Sequence, residues 1–123
     1  MIELARLYNS GPVQIRDIAK AQKVPVRYLE QLLLLLKRRH LLTSWRGKEG
    51  GYSLAKHPSD VSVLEVIEVL DGQIDLAGKK MQKVPVLFDL FTGLQESLRQ
   101  RLKQTTMEDL LFKSTQKTFT YNI

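Results

Sequence analysis

Between Ser44 and Leu54 the sequence reads SWRGKEGGYSL, which places three glycines and three charged residues between a tryptophan and a tyrosine. A segment that is both glycine-rich and basic is typical of a phosphate-binding loop, of a β-hairpin tip that contacts a polymer, or of a plain turn. The residues on either side of the segment distinguish these three structures.

The spacing excludes a mononucleotide-binding loop. Such a loop needs G-x-x-x-x-G-K-[ST] between a strand and a helix, because helix N–H groups and a lysine must converge on the phosphates. Here the glycines precede YSLA without a lysine–serine pair, and no G-x-G-x-x-G occurs. The flanking segments, Leu41 to Ser44 and Tyr52 to Ala55, are short and partly alternating, so the sequence predicts a β-hairpin with a glycine tip.

Two helices are predicted immediately before the hairpin. Val13 to Gln22 repeats apolar residues at helical spacing, and a second helix from about Pro25 to Arg39 has an apolar stripe opposite a polar face. The stripe consists of Tyr28, Leu29, Leu32, Leu33 and Leu36. Two helices joined by a tight turn fit both a helix-turn-helix and a helical hairpin of a bundle. The hairpin that follows favours a winged helix, because a bundle gives no reason for a glycine-tipped hairpin there.

A long C-terminal helix is predicted from about Pro85 to Gln104. Its apolar residues recur at helical spacing, and they are Leu87, Phe91, Leu94, Leu98 and Leu102. This stripe requires a partner, and a second copy of the same helix is the simplest one. Packing of the helix against its own winged domain is the alternative.

The remaining segments complete the predicted organisation. Ser62 and Glu65 fit a capping box for a helix that Gly72 ends at left-handed dihedrals. A short helix capped by Thr106 and Asp109 is predicted to end at Phe112, followed by a frayed tail. The predicted fold is mainly α with a small β-hairpin. It comprises a winged helix-turn-helix domain (1–72), a linker (73–84), and a dimerisation helix with the C-terminal tail (85–123).

All of the excess positive charge lies in the first half of the chain. Residues 1–55 contain ten Lys/Arg and four Asp/Glu, a net charge of +6, whereas residues 56–123 contain nine of each and sum to zero. A localised basic surface on a small domain is typical of polyanion-binding proteins, although basic surfaces also occur on proteins that bind no nucleic acid.

A winged helix that carries this positive charge is expected to bind double-stranded DNA. The second helix of a helix-turn-helix enters the major groove with its N-terminal residues near base edges, and wing cations reach the minor groove or its phosphates. The candidate DNA-binding residues are Pro25, Val26, Arg27, Tyr28, Gln31, Arg38, Arg46 and Lys48. Tyr28 has an alternative role, in which its ring lies in the core and only its hydroxyl reaches a phosphate.

Other kinds of chemistry have little support in the sequence. The chain has no cysteine, which excludes disulfides and thiolate metal sites, and its only histidines are His40 and His57. No catalytic triad or carboxylate pair is recognisable, so we predict no enzyme, no metal site and no cofactor. The longest apolar run, Leu32 to Leu36, is far shorter than the roughly 18 residues of a membrane span, so we predict a cytoplasmic protein.

Four motifs occur in order over about residues 13–72: an IA helix, the helix YLEQLL, the wing RGKEGGY, and the helix VLEVIEVLDG after a proline connector. In these motifs the chain resembles the Rrf2 family of bacterial winged-helix transcription regulators. Its C-terminal part, which includes TTMEDLL, is similar to the long dimerisation helix of that family. The resemblance implies a homodimer whose long helices cross between subunits and whose winged domains bind a palindromic operator, usually as a repressor.

The chain departs from the family at two places. Many members hold an iron–sulfur cluster on three cysteines in the linker, whereas the linker here, QIDLAGKKMQKVP, has none. The resemblance therefore implies a regulator without a cluster. Cysteine-poor members of the family sense through a partner protein or a small ligand, and some have no known signal. Members also usually have about a dozen more residues at the start of the first helix, of which Met1 to Tyr8 is predicted to be the end. Either the start codon is misassigned or the chain is truncated, and a truncated chain is expected to bind DNA less tightly.

A second function fits the same residues. The alternative is a winged-helix interaction module that binds a partner protein, such as a metabolic enzyme, with weak or no DNA binding. The two functions differ in whether the basic surface binds DNA. A DNA reader that makes roughly six to ten phosphate contacts loses on the order of a thousandfold in affinity between low and moderate salt.

Overall fold

The computed structural model describes residues 1–121, with side chains described for residues 1–116. The described chain is mainly helical with a two-stranded antiparallel hairpin, which confirms the predicted fold class. No helix in this part of the chain is long and apolar enough to cross a membrane. The elements, in chain order, are α1 (Ile2–Arg6), α2 (Ile15–Gln22), α3 (Val26–Arg38), β1 (Leu42–Trp45), β2 (Gly51–Leu54), a 3-10 turn (Pro58–Asp60), α4 (Val63–Asp71), α5 (Gly78–Met81), α6 (Pro85–Gln104) and α7 (Met107–Tyr121).

Helices α2 and α3 form the predicted helix-turn-helix. Lys23 ends α2 with left-handed backbone angles, φ 55° and ψ 45°, and its N–H donates to the carbonyl of Ala19. Pro25 has an extended ψ of 141°. It is therefore the residue that precedes α3, and the prediction that it is the first helical residue is wrong by one position.

Strands β1 and β2 form the wing, with Leu42 opposite Leu54. Both strands are offset by one residue from their predicted bounds. The reason lies at the end of α3, where the N–H of Leu41 still donates to the carbonyl of Leu36 at 3.0 Å. Leu41 is thus held by the helix end, and the strand begins one residue later.

The hydrophobic core joins the winged domain to the segment after the long helix. Buried side chains from α1, α2, α3 and the hairpin pack in one cluster with Met107 at the start of α7. The N–H of Met107 donates to the carbonyl of Val61, and the N–H of Val63 donates to the carbonyl of Thr105, both at 2.8 Å. After α6 the chain therefore returns to the winged domain.

Both predicted helix caps are present. The hydroxyl of Ser62 accepts from the N–H of Glu65 at 3.1 Å, and the Glu65 carboxylate accepts from the N–H of Ser62 at 3.0 Å. Thr106 and Asp109 make the same reciprocal pair at the start of α7, and hydrogen bonds from the backbone and hydroxyl of Thr106 lower the pKa of Asp109. Gly72 ends α4 with a positive φ of 80°, but its ψ of −171° is extended and not left-handed.

The structure corrects two predictions about the second half of the chain. The linker over residues 73–84 contains α5, which begins where the Asp75 carboxylate accepts from the N–H of Gly78 at 3.0 Å. The helix that was predicted to end at Phe112 continues to Tyr121, because no glycine or proline follows to end it. The last two residues of the predicted tail lie outside the described residues.

Candidate nucleic-acid interface

Helix α3 packs one side against the core and presents the other to solvent. Its buried side chains are those of Leu29, Leu33 and Leu36. At about 3.6 residues per turn, a second set of side chains points away from this stripe. The exposed set, which we call the outward face of α3, consists of Arg27, Glu30, Gln31, Leu34 and Arg38.

The residues predicted to bind DNA are all exposed, namely Pro25, Val26, Arg27, Tyr28, Gln31, Arg38, Arg46 and Lys48. Tyr28 is 54% exposed, so its assignment to the buried stripe is wrong. Each residue of a helix turns the side chain by about 100°, which moves Tyr28 away from the neighbouring Leu29 to the edge of the stripe. Glu30 and Leu34 were not among the predicted residues.

The wing tip presents two cations on a tight turn. The N–H of Gly50 donates to the carbonyl of Gly47 at 3.0 Å. Gly47 has a φ of 102°, a conformation that glycine adopts without a steric penalty. Arg46 and Lys48, on either side of Gly47, are both exposed. The turn therefore places their side chains at the outer end of the hairpin.

The wing is joined to the start of α2 at two points. Tyr52 and Val13 exchange two backbone hydrogen bonds of 2.8 Å. The side-chain amide of Gln14 donates to the carbonyl of Lys48 at 2.8 Å, and Arg16 donates to the Gln14 side-chain oxygen at 3.1 Å. Sequence reasoning missed Gln14, because 34 positions separate it from Lys48 and a bond to a backbone carbonyl leaves no pattern in the sequence.

The candidate DNA-binding cations are not neutralised by ion pairs. Within the described part of the chain, no carboxylate lies within ion-pair distance of Arg27, Arg38, Arg46 or Lys48. By contrast, the Arg6 guanidinium donates to the Glu3 carboxylate within α1, and this hydrogen bond raises the pKa of Arg6. Exposed cations without an ion-pair partner create a positive potential that attracts a polyanion.

The long helix α6, which is described in full, has no buried residue. Its apolar side chains form two groups on different sides of the helix. Phe91 and Leu102 of the predicted dimerisation stripe are half-buried. They lie toward the side on which Arg99 pairs with Glu68 of α4 at 3.1 Å. The other group, which we call the leucine face of α6, is exposed and consists of Leu87, Leu90, Leu94 and Leu98. Leu90 was not in the predicted stripe.

Comparison with known proteins identifies the family. The family model described as Rrf2, iron-dependent transcriptional regulator, matches residues 1–113. The chain belongs to the Rrf2 family. Among its Rrf2 relatives, the regulator CymR of Bacillus subtilis is 34% identical over 110 residues, which cover 89% of this chain and 80% of CymR. IscR of Escherichia coli is 40% identical over 75 residues, which cover 61% of this chain and 46% of IscR.

Solved Rrf2 structures have the same fold. The structure of CymR, the global cysteine regulator of B. subtilis, has a TM-score of 0.82 at 32% identity and covers 91% of this chain and 87% of its own. IscR of T. potens has a TM-score of 0.76 at 31% identity, with 92% and 78% covered. These comparisons confirm the predicted family and winged-helix fold. This Rrf2 protein is a DNA-binding transcription regulator, and its family is not one of enzymes.

The description of the family model names iron, but the residues of this chain do not fit an iron–sulfur cluster. Cluster irons are held mainly by cysteine thiolates, and none of the 123 residues is a cysteine. Among the side chains that the structure describes, no group of three His, Asp or Glu is placed to hold a metal ion. We therefore assign no step to iron in this protein.

Proposed function

We propose that this Rrf2 protein is a homodimeric repressor without an iron–sulfur cluster, which binds a palindromic operator through α3 and the wing. The observation that carries the proposal is the position of the unpaired cations. They lie on the outward face of α3 and on the wing tip, and Gln14 fastens the wing tip to the helix-turn-helix. We place the protein in the cytoplasm, and its effector is a partner protein or a small ligand.

The base contacts come from the N-terminal half of α3. Arg27 in the first turn pairs with the O6 and N7 acceptors of guanine, and Gln31, one turn later, pairs with N6 and N7 of adenine. Pro25 and Val26 approach the bases at the helix start. Tyr28 donates its exposed hydroxyl to a phosphate.

The remaining contacts fix the orientation of the protein on the duplex. Arg38, at the far end of the outward face, binds a phosphate, and Arg46 and Lys48 bind the minor groove or its phosphates. Glu30, which sequence reasoning did not include, is suited to accept a hydrogen bond from the amino group of cytosine. Glu49 at the wing tip opposes phosphate contact, so the wing contact is assigned to the two cations.

The homodimer is proposed to form through the leucine face of α6. Four exposed leucines at helical spacing form an apolar strip that one chain leaves uncovered. A second copy covers the strip by a two-fold contact in which each helix provides the same face. Because a two-fold dimer presents two identical recognition helices, its operator is a palindrome. Phe91 and Leu102 lie at the edge of this contact.

The Arg46→Ala variant should bind its operator about tenfold more weakly than the unsubstituted protein, because one charge-assisted contact of the wing is lost. The operator is obtained by sequencing the fragments that the purified dimer selects from a random duplex library. Gel shift gives the affinity, and the slope of log affinity against log salt should fall in magnitude by about one.

The matched control is Lys103→Ala, which removes an exposed cation from α6 and should leave the affinity unchanged. Thermal unfolding should show the same stability for both variants, since both side chains lie in solvent. If Arg46→Ala binds as tightly as the unsubstituted protein, the wing contact is wrong. If no duplex shows salt-dependent binding, the proposed operator function is wrong and the interaction module is favoured.

Gln14→Ala should weaken duplex binding by about twofold to tenfold, because the hydrogen bond that holds the wing tip is lost. Fluorescence anisotropy with a labelled operator measures this effect. Gln22→Ala, at the exposed end of α2, is the control and should bind as the unsubstituted protein does. In a protein that already lacks the side chains of Arg46 and Lys48, Gln14→Ala should have no further effect. A full additional loss in that background would contradict a role through the wing.

A further inference from the structure

An isolated apolar side chain lies on the outward face of α3. Leu34 is 46% exposed. Residues three and four positions away are its neighbours on the helix surface. All of these neighbours are polar and exposed, and they are Glu30, Gln31, Lys37 and Arg38. Leu34 is therefore separated on its helix from the buried stripe, whereas the adjacent Leu35 is three residues from the half-buried Leu32.

These neighbours restrict the kind of surface that can cover Leu34. An apolar protein patch would desolvate the charged side chains around the leucine without providing them with partners. The major groove differs, because its base edges and flanking phosphates offer hydrogen-bond partners to those side chains. Its base edges also present one apolar group, the C5 methyl of thymine. A leucine, which has no donor or acceptor, distinguishes one base pair from another in the groove chiefly through contact with that methyl.

The spacing of the outward face places Leu34 within reach of the bases. Arg27, Glu30, Gln31 and Leu34 follow each other at intervals of three, one and three residues. A homeodomain recognition helix contacts the major groove through residues at the same intervals. At about 1.5 Å per residue, Leu34 lies roughly 10 Å along the helix from Arg27, so it faces a different base pair.

We propose that Leu34 packs against the C5 methyl of a thymine in each operator half-site and thereby selects a T·A pair at that position. This inference rests on the proposed binding of an operator through α3. It adds the chemical group that one position of the half-site must present.

Substitution of thymine by uracil tests the contact, because it removes only the methyl group. Each thymine of the selected operator is replaced singly, and affinities are measured by fluorescence anisotropy. At one position per half-site, uracil should weaken binding by the unsubstituted protein about fourfold, the worth of one buried methyl. Leu34→Ala and Leu34→Ser should bind the thymine duplex more weakly and should not distinguish thymine from uracil at that position.

The matched control is Leu35→Ala, which shortens the adjacent and similarly exposed leucine and should keep the fourfold preference for thymine. Two results would overturn the inference: no uracil position that weakens the unsubstituted protein, or a uracil penalty that both Leu34 variants retain. If Arg27→Ala and Arg46→Ala weaken binding in the same assay, such a result rejects only the role of Leu34. If those arginine variants also bind as tightly as the unsubstituted protein, the proposed function fails with it.

Discussion

Leu94→Asp is expected to be a monomer at concentrations at which the unsubstituted chain is a dimer. Leu94 is 49% exposed and lies between Leu90 and Leu98 on the leucine face of α6. A two-fold contact buries both copies of the side chain. Full burial of an exposed leucine contributes about 2 kcal/mol, and Leu94 has about half of its surface left to bury, so the lost burial alone costs roughly 2 kcal/mol per dimer. This corresponds to about thirtyfold in the dimer dissociation constant, and burial of an unpaired carboxylate adds to it.

Sedimentation equilibrium measures the change in mass. Gln100→Asp is the matched control, because it adds the same charge to the same helix on a side away from the leucine face, and it should remain a dimer. Both variants should keep their helical content, since neither residue is buried. Loss of the dimer should also reduce operator affinity, because a monomer binds one half-site. If the unsubstituted chain is itself a monomer, or if Leu94→Asp is a dimer, the leucine face is not the interface.

The parts of the fold that sequence reasoning predicted are those specified by residues close together in the chain. The Ser62–Glu65 and Thr106–Asp109 caps depend on side chains three positions apart, so their spacing is visible in the sequence. The helix-turn-helix follows from apolar periodicity and Pro25. The α5 helix was missed because its only sequence signal is the Asp75 carboxylate three residues before Gly78, within a polar segment.

The parts that were missed depend on contacts between distant residues. Met107 lies in the core of the winged domain because its backbone pairs with Val61, and periodicity within one helix does not indicate which core the helix joins. The hydrogen bond from Gln14 to Lys48 could not be predicted from the sequence for the same reason. A local pattern thus predicts elements, and packing decides which of their faces meet.

At the candidate interface, too, the local pattern predicted some residues and packing decided others. The basic residues of α3 and the wing were predicted, because a cation on the polar side of an amphipathic helix is exposed in almost any packing. The run from Leu32 to Leu36 consists of five leucines, which differ only in the direction in which their side chains leave the helix. The structure buries Leu33 and Leu36 and exposes Leu34 and Leu35. Leu34 therefore acquires a place on the interface that composition alone does not give it.

Gly51→Ala should destabilise the protein by about 2 kcal/mol more than Gly47→Ala does. Both glycines have a positive φ, 143° and 102°, so an alanine at either position carries backbone strain of about 1–3 kcal/mol. A Cβ at Gly47 would meet nothing within 4 Å, whereas a Cβ at Gly51 would lie 2.3 Å from the carbonyl oxygen of Val13. Val13 must therefore move, and it loses its two hydrogen bonds to Tyr52, at about 1 kcal/mol each.

Urea unfolding measures the two stabilities, and operator affinity should fall for Gly51→Ala because the wing no longer rests on the segment before α2. Equal destabilisation by the two substitutions would show that strain alone governs both positions. The expected difference would instead assign separate roles to the glycines of the wing motif. Gly47 allows the tip to turn, and Gly51 lets the hairpin approach Val13 closely enough for backbone pairing. That pairing, with the bond from Gln14, holds the wing tip with Arg46 and Lys48 against the residues that precede α2, so the second role bears directly on DNA binding.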